Sequence, residues 1–132
     1  MKVLVVDDMP LMRHVLINML RKLEYTDITE ATDGIQAVSY LKKQKFDLLV
    51  TDLNMPKMDG TMLIDKVKHE LACHKMAILV VTCEDNRRTL LKLISARVDG
   101  IIVKPFCLNT LEKQLQCIAT KRGKQPLKSQ VL

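Results

Sequence analysis

The sequence has no tryptophan, two tyrosines and two phenylalanines, so aromatics make up 3% of its 132 residues and any core must be aliphatic. With four glycines in all, it has no glycine-rich loop to cradle phosphates. Neither G-x-G-x-x-G nor G-x-x-x-x-G-K-[ST] occurs, so nucleotide binding has no support. The four cysteines, Cys73, Cys83, Cys107 and Cys117, show no C-x-x-C spacing. They read as reduced thiols, with Cys83 and Cys117 as small core residues. Cys73 and His74 are adjacent, which is poor spacing for zinc. No apolar run approaches the roughly 20 residues needed to span a bilayer. The first strand-like run starts at residue 2, so no secretory leader is expected. These absences point to a cytoplasmic protein with no membrane segment.

What remains is ordinary for a folded domain: 48% apolar, 27% charged, and a length that suits one compact unit. The charge is less ordinary. Twenty-one Lys and Arg face 15 Asp and Glu, a net +6 that would suit nucleic acid. However, Lys121, Arg122, Lys124 and Lys128 fall in the last twelve residues, and no acid follows Glu112. Without them 17 bases face 15 acids, and no aromatics are interleaved with the bases to stack on nucleobases. The folded part is therefore expected not to bind nucleic acid.

Val3–Val6, Leu48–Val50, Ile78–Val81 and Ile101–Val103 are continuously apolar. Strands apolar on both faces belong to a parallel sheet covered by helices on each side. A more polar run, Ile28–Ala31, reads as a strand nearer the edge. Between the strands lie helical patterns. Met12, Leu16, Met19, Leu20 and Leu23 share one helix face, which Pro10 can begin. Ile35, Val38 and Leu41 mark a second helix after Asp33-Gly34, and Ile64, Val67 and Leu71 a third. A fourth, over about 86–97, carries Leu90, Leu93 and Ile94; the fifth carries Leu108, Leu111, Leu115 and Ile118. Five β–α units in series predict an α/β doubly wound parallel sheet with five helices. Residues 1–120 form this domain, and 121–132 read as a basic flexible tail or linker remnant.

In open parallel sheets, ligands bind beyond the carboxyl ends of the strands. The residues there are Asp7 and Asp8 after the first run, Asp52 after the third, Thr82 after the fourth, and Lys104-Pro105 after the fifth. Taken singly, each has a bland explanation. Asp8 or Thr82 could cap a helix, Asp52 could serve its own turn, and Lys104 could be a solvated base. Together they are harder to dismiss, because three carboxylates at one rim repel one another. A divalent cation or an ammonium would relieve that, and oxygen-only ligands suit Mg²⁺. A carboxylate held near Mg²⁺, with a lysine and a hydroxyl alongside, is laid out to accept a phosphoryl group.

The segments VLVVDD (3–8), TDLNMPKMDG (51–60), VVT (80–82) and IIVKPF (101–106) occur in this order, and over about residues 1–120 the sequence resembles a response-regulator receiver domain of the stand-alone chemotaxis type. The resemblance implies strand order 2-1-3-4-5 and phosphorylation of Asp52 by a histidine kinase or phosphotransfer protein. It implies Mg²⁺ bound by Asp8, Asp52 and the Asn54 backbone carbonyl, with Asp7 acting through water. Lys104 would pair with the phosphoryl oxygens, positioned by a cis bond to Pro105, and Thr82 would swing in to bond them. Glu84, like Asn54, would tune dephosphorylation. A downstream protein target is implied without being identified, together with a monomer or a weak dimer formed on phosphorylation.

Two positions depart from the family's pattern. Ile101 stands where the family often has Tyr or Phe, so it has no ring to report the switch. Arg97 stands where a helix-ending Gly is usual, which predicts a locally different helix end. Two other classes of function compete with a signalling acceptor. One is a Mg²⁺-dependent phosphatase, which typically needs Asp-x-Asp; here residues 52–54 are Asp-Leu-Asn, and Asn54 cannot supply the proton for a leaving group. The other is an interaction module that is never phosphorylated, against which the intact acid pair, acceptor, Thr and Lys all argue. His14, His69 and His74 read as solvated, and Met55, Met58 and Met62 as packing.

Overall fold

The structure, a computed structural model, describes residues 1–71, 75–83 and 86–122. Strands β1 (Lys2–Val6), β2 (Asp27–Ala31), β3 (Leu48–Thr51), β4 (Ala77–Thr82) and β5 (Gly100–Val103) alternate with helices. These are α1 (Pro10–Lys22), α2 (Gly34–Lys43), α3 (Gly60–His69), α4 (Arg87–Ser95) and α5 (Leu108–Lys121). The strands form one parallel sheet in the order β2-β1-β3-β4-β5, with the polar β2 at one edge. The continuous apolar runs serve two cores. Leu4, Val6, Leu49, Ile78 and Val80 face α2, α3 and α4 through Val38, Leu63, Val67 and Leu93. Their sequence neighbours Val3, Val5, Leu48, Val50, Leu79 and Val81 face α1 and α5 through Leu16, Leu20, Leu111 and Leu115. Successive strand side chains point to opposite faces, which is why neither face can be polar. Among the described residues no helix is long and apolar enough to cross a membrane.

Local starts follow the sequence closely. Pro10 opens α1, the Asp33 and Asp59 side chains accept from Gln36 N and Met62 N at α2 and α3, and Asn86, not Thr82, caps α4. Several positions differ from expectation. On α4 only Leu93 is fully buried, and Ile94 is 63% exposed. The helix carries more large aliphatics than one face can cover, and the phase that buries Leu93 turns Leu91 and Ile94 outward. Ile35 and Met62, each in the first turn of its helix, are half exposed, because the phase that buries Gly34 and Ala37 in α2 and Gly60 and Leu63 in α3 turns them outward. Leu71 lies past the end of α3, packed partly against the core. Cys83 and Cys117 are exposed, so they are not core residues; one follows β4 and the other sits on the outer side of α5. His14 and His69 are exposed as expected. Cys73, His74 and Glu84 lie outside the described residues.

At the end of α4 the expected local difference is absent. Arg97 N donates to Ile94 O at 3.0 Å and Val98 N to Leu93 O at 3.3 Å, the paired bonds of a Schellman ending. Arg97 itself takes the left-handed conformation, with φ 60°. The geometry is kept and the arginine carries the strain. Arg97→Gly is therefore expected to stabilise the fold by about 1 kcal/mol, read from the midpoint of chemical denaturation.

The C-terminal boundary also moves. Helix α5 includes Lys121, and the Arg122 guanidinium bonds both Asp99 carboxylate oxygens at 3.0 Å and the Lys75 and Met76 carbonyls at 2.9 and 3.2 Å. Two of the four terminal bases thus belong to the folded body.

Candidate functional site

The sheet delivers the polar residues to one rim. Past the paired ends of the strands, Asp7 N donates to Ala31 O at 3.2 Å and Asp52 N to Val6 O at 3.1 Å, while Lys104 N donates to Thr82 O at 2.8 Å. These bonds extend the parallel pairing by one step, so the residue after each strand inherits the sheet's register. Asp7, Asp52 and Thr82 are buried. Helix α3 starts close against the loop that follows Asp52: Gly60 N donates to Leu53 O at 2.8 Å. A Cβ at Gly60 would collide with the Asp52 carbonyl oxygen and come within 2.7 Å of Leu53 Cα, so only glycine allows this approach. The Lys104–Pro105 peptide is cis.

Lys104 is not a solvated base. Its side chain is 6% exposed, and Nζ lies 3.0 Å from Asp7 Oδ2 and 3.2 Å from Asp52 Oδ2. The other oxygen of each acid is also held: Met9 N donates to Asp7 Oδ1 at 2.9 Å, and Leu53 N to Asp52 Oδ1 at 2.7 Å. Asp8 is exposed, and one carboxylate oxygen from each of Asp7, Asp8 and Asp52 lies within 4.8 Å of the others. Burial opposes the charge on Lys104, but its bond to Asp7 and the nearby Asp52 carboxylate outweigh it, and its pKa is raised.

A raised lysine pKa stabilises the fold wherever the unfolded lysine is still protonated, and that stabilisation is lost as pH climbs through the folded value. The stability difference between wild type and Lys104→Met is therefore expected to be flat from pH 7 to 9. It should shrink only above the ordinary lysine range, as followed by denaturation midpoints of both proteins.

The structure thus brings Asp7, Asp8, Asp52, Thr82 and Lys104 to one rim. Asn54 is exposed in the loop two residues beyond Asp52, Pro105 is exposed, and Ile101 is half-buried in β5 against the core. Met55 is buried and Met58 packs partly against the core. One participant was missed. Arg13, 14% exposed, donates from Nη1 to the Asp7 carbonyl at 2.8 Å and from Nε to Glu30 Oε1 at 3.1 Å. An arginine in the first turn of an amphipathic helix gives no signal that separates this role from a solvated one.

Chemically, the described residues of the rim bring together hard oxygen donors, the Lys104 ammonium and the Thr82 hydroxyl. That set suits a divalent cation and an incoming anion with several oxygens.

A family model described as the response regulator receiver domain matches residues 3–116. The chain is 40% identical over 118 residues to the chemotaxis protein CheY-3 of Vibrio cholerae, covering 89% of this chain and 91% of that protein. In fold it is similar to V. cholerae CheY4, with TM-score 0.80 and 32% identity over 89% of this chain and 97% of the other. It is also similar to the receiver domain of a sensor histidine kinase from Pseudomonas aeruginosa, solved with a magnesium ion coordinated in its active-site cleft. There the TM-score is 0.78 and the identity 25%, over 93% and 98% of the two chains.

Proposed function

The chain belongs to the response regulator receiver family, and on that premise we propose that it is a signalling phospho-acceptor, with Asp52 taking a phosphoryl group from a histidine kinase or phosphotransfer protein. The observation that carries this reading is the pairing of Lys104 with both Asp7 and Asp52 in a nearly buried cleft.

The donor set fits Mg²⁺: carboxylate oxygens from Asp7, Asp8 and Asp52 converge, with the Asn54 backbone carbonyl in the same loop as Asp52 and no thiol or imidazole among the grouped ligands. Bound there, the cation would offset the repulsion among the acids and draw charge from the phosphoryl oxygens. The magnesium in the related P. aeruginosa domain supports this assignment.

The chain's own residues do the rest. The amide of Leu53 fixes the rotamer of Asp52, leaving the carboxylate aimed at the rim. The carboxylate attacks phosphorus in line, the bond from phosphorus to the donor's imidazole nitrogen breaks, and that nitrogen keeps the electron pair and takes up a proton. Lys104, already between two acids, neutralises the equatorial oxygens as they gain charge. Thr82, at the end of β4, would donate its hydroxyl to the new dianion. One added dianion at the end of β3 then biases two packings of the ends of β4 and β5, read by a downstream protein. With Ile101 in β5, no ring or hydroxyl there can report the change, so the signal passes through Thr82 and the backbone it carries.

The test is an amide spectrum with Mg²⁺ and beryllofluoride. Shifts clustered at Asp52, Thr82 and Lys104 that need both additions are the expected result. A spectrum unchanged by either would instead make the chain a pure interaction module.

A further inference from the structure

We propose that Arg13 is a positioning residue for the acidic cluster, acting through the backbone of Asp7, with Glu30 on the edge strand holding it in place. The inference rests on the reading of the cluster as a Mg²⁺ site.

Three bonds converge on the short turn that carries Asp7 and Asp8. The Arg13 amide donates to Met9 O at 3.0 Å, the Met9 amide donates to Asp7 Oδ1 at 2.9 Å, and Arg13 Nη1 donates to Asp7 O at 2.8 Å. The guanidinium therefore ties the backbone of the turn to α1, while the Met9 amide ties the side chain of Asp7 to the same turn. Asp8 sits between these ties. Its carboxylate is exposed, and its place in the cluster depends on the path of this backbone. The second arm of the guanidinium, Nε to Glu30, bridges α1 to β2 and fixes which way the fork points. A lysine has the charge but not two donors at a fixed angle, so it cannot span both acceptors in this way.

Position and charge predict opposite results. A bare cation on the backbone of the turn that carries Asp7 and Asp8 would compete with a metal ion, so deleting it for charge alone would tighten Mg²⁺ binding. A latch that sets the turn would, when deleted, weaken Mg²⁺ binding by about tenfold, as loss of outer-sphere partners does elsewhere. Glu30 already pairs with the guanidinium, which blunts the charge effect and leaves the positional one.

The experiment is Mg²⁺ titration by calorimetry of the whole chain in wild type, Arg13→Ala, Arg13→Lys and Glu30→Gln, with thermal unfolding of each. The proposal expects weaker Mg²⁺ binding in Arg13→Ala and, although the charge is kept, in Arg13→Lys. Glu30→Gln should show a smaller loss. Phosphoryl uptake from acetyl phosphate should fall at limiting Mg²⁺ and recover at saturating Mg²⁺. Tighter binding in Arg13→Ala overturns the proposal, as does unchanged binding with only a lower melting temperature. If wild type itself fails to bind Mg²⁺, the failure lies with the metal-site reading; if wild type binds and the Arg13 variants match it, the failure lies with the latch alone.

Discussion

Lys104→Ala should slow phosphoryl uptake from acetyl phosphate by about 10²–10³-fold, the usual cost of removing one aimed donor from a developing anion. Among the described residues, only one ammonium reaches both the acceptor and its neighbour: Nζ lies 3.0 Å from Asp7 and 3.2 Å from Asp52. The same variant should lose about 3 kcal/mol of stability at neutral pH, because two buried carboxylates then face each other without a counter-charge. Added Mg²⁺ should restore part of that stability but little of the rate, since a cation among the acids relieves repulsion without replacing the lysine. Intact-mass time courses and denaturation with and without Mg²⁺ separate the two effects. Uptake within about threefold of wild type would mean that the lysine does not act on the phosphoryl group.

Asp8→Asn should move function and stability in opposite directions. Asp8 is the exposed member of the cluster, and no bond to Lys104 holds it. Removing its charge leaves no buried partner stranded, and it relieves repulsion at the rim. The gain should be small, about 0.5–1 kcal/mol, because solvent screens an exposed group. Affinity for Mg²⁺ should nonetheless fall by at least about 100-fold, since even unit charges near 4 Å interact by about 4 kcal/mol at an effective dielectric of 20. Calorimetric titration beside a denaturation curve reads both. A destabilised Asp8→Asn that still binds Mg²⁺ as wild type does would mean that the acid serves the fold and not the cation.

Much of this arrangement is legible in the sequence, for identifiable reasons. Continuous apolar strands such as Val3–Val6 announce burial on both faces, and the carboxyl-end rule then collects Asp7, Asp8, Asp52, Thr82 and Lys104 without knowledge of distances. The periodicity was less decisive on α4, where Leu90, Leu91, Leu93 and Ile94 allow more than one buried face and only packing chooses Leu93. Arg122 looked like part of a solvated basic run because its partners Asp99, Lys75 and Met76 are far away in sequence. Arg13 was invisible for a related reason: its acceptors, a carbonyl at one strand's end and an acid on the neighbouring strand, are brought to it by the fold and follow no helical spacing. Pattern reveals which face a residue occupies, but not which long polar side chain finds a distant acceptor.

The +6 net charge says little about the site, which is locally acidic and draws on one internal lysine for balance. The most direct test of that site is the intact mass of wild type and Asp52→Asn after incubation with acetyl phosphate and Mg²⁺. Wild type should gain one phosphoryl group and Asp52→Asn none, with the gain abolished by chelating the Mg²⁺. An unmodified wild type, or equal labelling of Asp52→Asn, would contradict the account.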